Sequence, residues 1–359
     1  MTLAADSETW SEIHAQPGIW SNWAPELASQ TDELRRWIAD AGYEEIIFAG
    51  AGTSAFIGEI AAFAAEGNLR LRAVPTTDIV SNPRECLRDD PRLLVVQFGR
   101  SGDSSETVGT LDLLDGLFPS VGRLHITCNP GGALATRAPA GTGEQRVLLL
   151  PEATHDKGFA MTSSFSTMLL SALACFAPRN ILVEALGKLA AKAEQLMPQI
   201  DAMTPPRPER IVFLGSGALK GASHEAALKV LELTAGETVS SHEGTLGFRH
   251  GPKSVITGAD LVVVMIHPDA HTKLYDNDVA TEIRAQFPKA RVITLGDDVA
   301  DLDVSCLGDA RWDAPLYVLV AQIWAVRWAE ALGLNIDNPF VDMGNLSRVV
   351  TGVKLYPAA

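Results

Sequence analysis

The sequence predicts an α/β protein made of two copies of one unit, each a doubly wound parallel sheet flanked by helices. Three observations carry this. Six short runs, residues 45–49 (EIIFA), 93–98 (LLVVQF), 124–128 (LHITC), 210–214 (RIVFL), 261–266 (LVVVMI) and 292–295 (VITL), are nearly continuous and apolar, as strands buried on both faces of a parallel sheet are. Segments of helical spacing lie between them, as right-handed β-α-β crossovers require. The landmarks also recur: Leu93 to Leu261 and Arg123 to Arg291 are each 168 positions apart, and Gly50 to Gly215 is 165. One unit is written twice.

Taken in order, residues 10–37 read as two short helices broken at Pro17 and Pro25, because an interior proline lacks the amide N–H and crowds the carbonyl four residues back. Residues 54–66 form the helix after the first strand, and 223–235 form its copy. A helix over 179–200 joins the halves, and Pro205-Pro206-Arg207-Pro208 is a stiff linker. Residues 316–332 make the last long helix, and 335–357, rich in Gly, Pro and Asn, run over the surface as a tail. The expected boundaries are 1–43 for an N-terminal helical segment, 44–200 and 205–340 for the two units, and 341–359 for the tail.

Composition narrows the function. A chain of 359 residues with 47% hydrophobic and 20% charged residues is a packed globular protein long enough for two domains. Its net charge of −15 argues against a nucleic-acid or anionic-membrane partner, although backbone amides and helix ends can still bind a phosphate locally. Cys86, Cys128, Cys175 and Cys306 are widely spaced with no CxxC pair. That excludes a disulfide scaffold and a zinc knuckle and fits a reducing cytoplasm. The first residues carry Asp6 and Glu8 with no apolar stretch, so no signal peptide is expected. The runs 161–177 and 316–328 are broken by hydroxyls, or by Gln322 and Arg327, and fall short of the roughly 18 apolar residues of a membrane span.

The chemistry gathers where strands end. Gly50-Ala51-Gly52-Thr53-Ser54 opens a helix directly after the first strand, where glycines let a ligand approach and free N–H groups face it. The same residues fit a dinucleotide fingerprint, but that pattern needs an acidic residue about 20 positions on, where this chain has Arg70 and Arg72. After the second strand, Gly99-Arg100-Ser101-Gly102-Asp103-Ser104-Ser105-Glu106-Thr107 offers several neutral donors and one cation, which suits a phosphate dianion. A capping box between Ser104 and Thr107 is the plainer reading, but it lacks the Glu or Gln that a box uses. In the second copy Glu225, Lys229 and Glu232 share one helix face. They are either a solvated salt-bridge stripe or, with Glu232 among Val230, Leu231 and Leu233, a carboxylate fit for general base work. His155-Asp156 follows an apolar run, and His250 lies in a glycine-bounded basic loop. There is no HExxH, no His/Asp cluster of ligand spacing and no GxSxG, so neither a metal nor a serine hydrolase is expected, and no cofactor is implied.

GAGTSAF (50–56), FGRSGDSSET (98–107), ALKVLE (227–232) and RHGPK (249–253) together resemble a double sugar isomerase (SIS) domain. TTDIVSNP (76–83), PEATHDKGFAMTSSF (151–165) and GFRHGPKS (247–254) resemble its AgaS-type branch, tagatose-6-phosphate ketose/aldose isomerases better described as galactosamine-6-phosphate deaminase/isomerases. The resemblance implies that Ser54, Ser101 and Ser104 bind phosphate. It makes Glu232 the base between C1 and C2 of the open-chain sugar, puts His250 at ring opening, and places Lys229 near the hydroxyls. With these, the expected substrate-binding set takes in Gly52, Thr53, Arg100, Gly102, Thr107, His155, Thr162 and Ser163. In amidotransferase relatives the histidine comes from the neighbouring subunit, which implies a homodimer.

Two departures stand out. The family's first loop serine is Gly99 here, with Arg100 beside it. The tail lysine of an N-L-A-K run is Arg348, in Asn345-Leu346-Ser347-Arg348. Arginine stays protonated and does not readily form a Schiff base, so Arg348 would orient substrate. The first cysteine is Cys86, so the relatives' glutaminase half, with its N-terminal cysteine nucleophile, is not expected, and ammonia release is the expected direction. The rivals are plain aldose–ketose isomerisation, a non-catalytic phosphosugar sensor and a nicotinamide oxidoreductase.

Overall fold

A computed structural model describes residues 3–64, 68–341 and 346–358. The strands are β1 (Glu45–Ala49), β2 (Arg70–Ala73), β3 (Leu93–Gly99), β4 (Gly122–Thr127), β5 (Gln145–Leu149), β6 (Arg210–Gly215), β7 (Val239–Gly244), β8 (Leu261–Met265), β9 (Arg291–Gly296) and β10 (Leu302–Asp303). The helices are α1 (Glu8–Asp40), α2 (Thr53–Ala61), α3 (Thr76–Ser81), α4 (Pro83–Cys86), α5 (Ser105–Gly116), α6 (Ala133–Thr136), α7 (Ser163–Phe176), α8 (Leu182–Ala202), α9 (Ala218–Leu233), α10 (Ala270–Gln286) and α11 (Ala310–Leu332).

Two compact units result. The first gathers Ser21–Asp156, Ser163–Val183 and Ser347–Ala359; the second gathers Met1–Trp20, Lys157–Thr162 and Glu184–Leu346. The first contains a parallel sheet of order β2-β1-β3-β4-β5, the second one of order β10-β9-β8-β6-β7. Read from the other edge, the second sheet repeats the first, so the duplication is real. In each, the chain reverses its direction of travel across the sheet once, between β1 and β3 and between β6 and β8. Such switch points open a crevice at the strands' carboxyl ends, where α/β sheets bind ligands. Ile47, Val95, Leu114 and Phe118 build the first core, and Val212, Leu214, Val262, Val264 and Ile283 the second.

Five helices differ in their bounds from expectation: α8 runs Leu182–Ala202 where 179–200 is expected, α9 runs Ala218–Leu233 and so starts five residues before the expected 223–235, and three others differ as follows. Residues 8–40 form one helix, not two broken at Pro17 and Pro25. Pro17 cannot donate to the Ile13 carbonyl, but Gln16 Nε2 does so instead at 3.1 Å and also reaches Gln322 Oε1 at 2.8 Å, so the freed acceptor is satisfied. The helix expected over 54–66 ends at Ala61 in a short 3₁₀ turn, Ala62–Ala64, and Glu66 lies outside the described residues. The last long helix starts at Ala310, six residues before its expected start at 316, because Asp309 caps it by accepting from the Arg311 amide. Among the described residues no helix is long and apolar enough to cross a membrane.

His125 on β4 is fully buried, 3.2 Å from Gln145 Oε1. Burial, helped by the neighbouring Arg123 charge, pushes its pKa down to about 4 against the hydrogen bond to Gln145. Between there and the ordinary value of 6.5 the unfolded chain binds a proton that the folded chain refuses, so stability falls as pH drops through that window. His125→Gln is expected to flatten the fall of Tm measured from about pH 7 to pH 4.

Candidate active site

In the first unit, both switch-point loops are shaped by close backbone approach. A side chain at Gly50 would collide with the Ser54 backbone, and Gly52 stands at φ +55 before α2. Thr53 and Ser54 are buried in the first turn of that helix. In the second loop Gly102 has φ +73. Ser104 caps α5: its Oγ accepts from the Thr107 amide at 3.3 Å and lies 2.8 Å from Thr107 Oγ1. The capping reading is therefore realised without the Glu or Gln of a box.

Sequence reasoning missed what holds this loop. Asn129 Nδ2 donates to the Ser101 carbonyl at 2.8 Å, Asp103 accepts from the Ala133 amide at 2.7 Å, and Thr127 Oγ1 donates to the Gly99 carbonyl at 2.7 Å. The available signal was Asn129 followed by Pro130-Gly131-Gly132 at the end of a recognisable strand.

Four charged or titratable groups, Arg100, Arg348, His155 and Asp156, lie in the same unit. Arg100 is buried and donates to the Arg348 carbonyl at 3.3 Å, while Arg348 donates to the Asp156 carbonyl. His155 is half-buried; burial, then the charges of Arg348 and Arg100, hold its pKa below the ordinary value, and Asp156 opposes them. The buried Asp156 carboxylate accepts from the amides of Ser163 (3.2 Å) and Ser164 (2.9 Å) and from both hydroxyls (2.5 Å each). It orders the start of α7, and Ser163 is fully buried beneath it. The tail joins the same loop, since the Ser105 amide donates to the Val350 carbonyl at 3.0 Å. Asn345 lies outside the described residues.

The second unit carries the acid–base cluster. Glu225 and Lys229 are completely buried, and Glu232 keeps 22% of its side chain exposed. Lys229 Nζ lies 2.6 Å from Glu232 Oε2 and 3.4 Å from Glu225 Oε1, so the face is not a solvated stripe. Burial by itself would lower the lysine's pKa, but the two carboxylates outweigh it and hold it above its ordinary value. Glu232 has a lysine ammonium against it, so the shared helix face is realised as an ion pair beside the apolar neighbours Val230 and Leu233.

His250 is exposed, at the end of the 3₁₀ turn Gly247–Arg249 and before Gly251 at φ +118. Its neighbours are tethered: Arg249 pairs with Glu282 at 2.7 Å, and Lys253 with the same carboxylate. Thr162 belongs to this unit and is fully buried. His224 on α9 and His242 on β7 stack at 3.6 Å between ring centroids, a pair no sequence spacing announced. Among the described residues no group of three or more His, Cys, Asp or Glu could hold a metal ion.

Two copies of one five-stranded unit, with a hydroxyl-rich loop at the first switch point and a Glu–Lys–Glu cluster on the second copy's helix, define the class of duplicated α/β phosphosugar isomerases. Comparison with known proteins agrees. No protein-family model matches the chain. It is 37% identical over 375 residues to the Escherichia coli D-galactosamine-6-phosphate deaminase AgaS, covering 99% of this chain and 97% of that one. A Streptomyces coelicolor protein provisionally named for the same activity is 40% identical over 384 residues, covering 99% and 97%. The crystal structure of Escherichia coli tagatose-6-phosphate ketose/aldose isomerase superposes with a TM-score of 0.88 at 35% identity, covering 99% of this chain and 98% of that one. The chain belongs to the AgaS family of sugar-phosphate enzymes.

Proposed function

We propose that the chain is a cytoplasmic deaminase that converts an amino-hexose 6-phosphate, galactosamine 6-phosphate foremost, to a ketose 6-phosphate and ammonium. The observation that carries the reading is Glu232, a partly exposed carboxylate with a buried lysine ammonium 2.6 Å away. The hydroxyls of Ser54, Ser101 and Ser104 take the phosphate, and Arg100 and Arg348 supply positive charge. His250 assists ring opening. Glu232 takes the proton from C2 to give an enolamine, exchanges it with water, and delivers a proton to C1. The resulting ketimine adds water and loses ammonium. One carboxylate serves both carbons because they are adjacent.

The names of the relatives at 37–40% identity support deamination. The isomerase title of the solved relative favours a second reading, aldose–ketose isomerisation by the same residues without ammonia. The test is ammonia release from galactosamine 6-phosphate with glucosamine 6-phosphate alongside. Release from the galacto sugar supports the proposal. Ketose formation from non-amino sugar phosphates without ammonia transfers the activity to the second reading, and binding without any turnover would leave only a sensor.

Ser104→Ala removes a helix cap as well as a phosphate donor. It is expected to cost about 1 kcal/mol of stability and to raise KM about tenfold or more, with kcat little changed. An unaltered KM would remove Ser104 from the phosphate site. We also read the active unit as a homodimer in which His250 serves the neighbouring subunit. Mixing Glu232→Gln with His250→Ala protein should then recover activity that neither has alone.

A further inference from the structure

The two switch points are built alike. Gly52 and Gly217 precede α2 and α9 with nearly the same backbone, φ 55, ψ −130 and φ 57, ψ −128. Where Ser104 caps α5, Asp269 caps α10, accepting from the Thr272 amide at 2.9 Å and from Thr272 Oγ1 at 3.0 Å. The cap is three residues from its threonine in both units.

They part seven residues beyond the cap. In α5 that position is Leu111, buried and apolar; in α10 it is Asp276, completely buried. Asp276 Oδ1 accepts from Ser216 Oγ at 2.6 Å, and Oδ2 accepts from the His267 amide at 2.9 Å. Ser216 lies in the loop after β6, and His267 in the turn after β8. A single internal carboxylate therefore joins the two loops of the second switch point, the feature that in the first unit carries the hydroxyls of the phosphate loop.

We propose that Asp276 is a built-in anion, filling at the second switch point the place that substrate phosphate fills at the first. The duplicated fold retains two anion-binding frameworks, but one is already occupied by the chain itself, so one phosphate binds per chain. The inference rests on reading the 99–107 loop as the phosphate site. Its chemical consequence is definite. Without the carboxylate, a half-buried hydroxyl and a half-buried amide lose their acceptor, which costs stability, and a small oxyanion can supply it from solution.

The experiment uses the full chain with Asp276→Ala and Asp276→Ser, melted and titrated against formate, which matches the deleted group, and against inorganic phosphate. Both variants should melt below wild type. Formate at about tenfold its Kd should raise their Tm by about 2–4 °C and leave wild type unmoved, and phosphate should show a second binding event in them. Equal formate and phosphate responses in variants and wild type would overturn the proposal. So would variants as stable as wild type, or variants that fold neither with formate nor without it. A Ser101→Ala/Ser104→Ala protein separates the two layers. Loss of its phosphate response upholds the first-unit reading on which the inference stands. A retained response removes the counterpart and overturns the equivalence, whatever formate does.

Discussion

Glu232→Gln is expected to lower kcat by about 10²–10⁴-fold while sugar-phosphate affinity stays near wild type. The amide copies the shape of the carboxylate but cannot accept the C2 proton. Glu232 retains 22% side-chain exposure, whereas its partner Lys229 is sealed, so of the pair only the carboxylate has access to a ligand. Lys229 is held protonated by Glu225 and Glu232, which leaves the ammonium a poor base and the carboxylate the proton acceptor. Ammonia release gives kcat, and calorimetric titration with the ketose phosphate gives affinity. A second readout isolates the step: in deuterated water, wild type should place deuterium at C1 of the product, and the variant should lose that exchange in proportion to turnover. A near-wild-type rate, or exchange that survives the substitution, would assign the base elsewhere.

The readable parts of this molecule were those decided by local pattern. β1, β3, β4, β6, β8 and β9 announce themselves because sheet interiors bury both faces, and β1, β3 and β8 are buried at every position. The edge strands β2 (RLRA) and β7 (VSSHEG) are half exposed and largely polar, so nothing in composition separates them from loops. Pro17 misled because its compensation, Gln16, lies in the neighbouring residue's side chain and not in the backbone pattern. At the candidate site, the spacing of Glu225, Lys229 and Glu232 was legible as a shared helix face. Whether that face was wet or dry depends on what packs over it, which periodicity does not record. Asn129 and Asp103 escaped for a related reason: Asn129 meets Ser101, and Asp103 meets Ala133, across 28 and 30 residues of chain.

Lys229→Met should be strongly destabilising, costing about 3–5 kcal/mol, because removing one member of a buried ion pair strands the other. Glu225 is completely buried with its Oε1 3.4 Å from the lysine nitrogen, and methionine fills the space without supplying charge. At about 2–4 °C per kcal/mol for a domain of this size, the fall in Tm is on the order of ten degrees. Adding Glu225→Gln should recover part of the loss, since the stranded charge is then gone, although the Glu232 contact is not restored. The pH dependence supplies the sign. Without its cation the buried carboxylate is better protonated than charged, so the unfolded chain, where Glu225 ionises freely, binds fewer protons than the folded variant. Stability then rises as pH falls through the carboxylate range, the reverse of the acid weakening expected from His125. Tm measured against pH for wild type, Lys229→Met and the double variant decides the matter. If the single variant loses less than about 1 kcal/mol, typical of an exposed pair, or if the double variant recovers nothing, the cluster is not the buried ion pair that the 2.6 Å and 3.4 Å contacts describe.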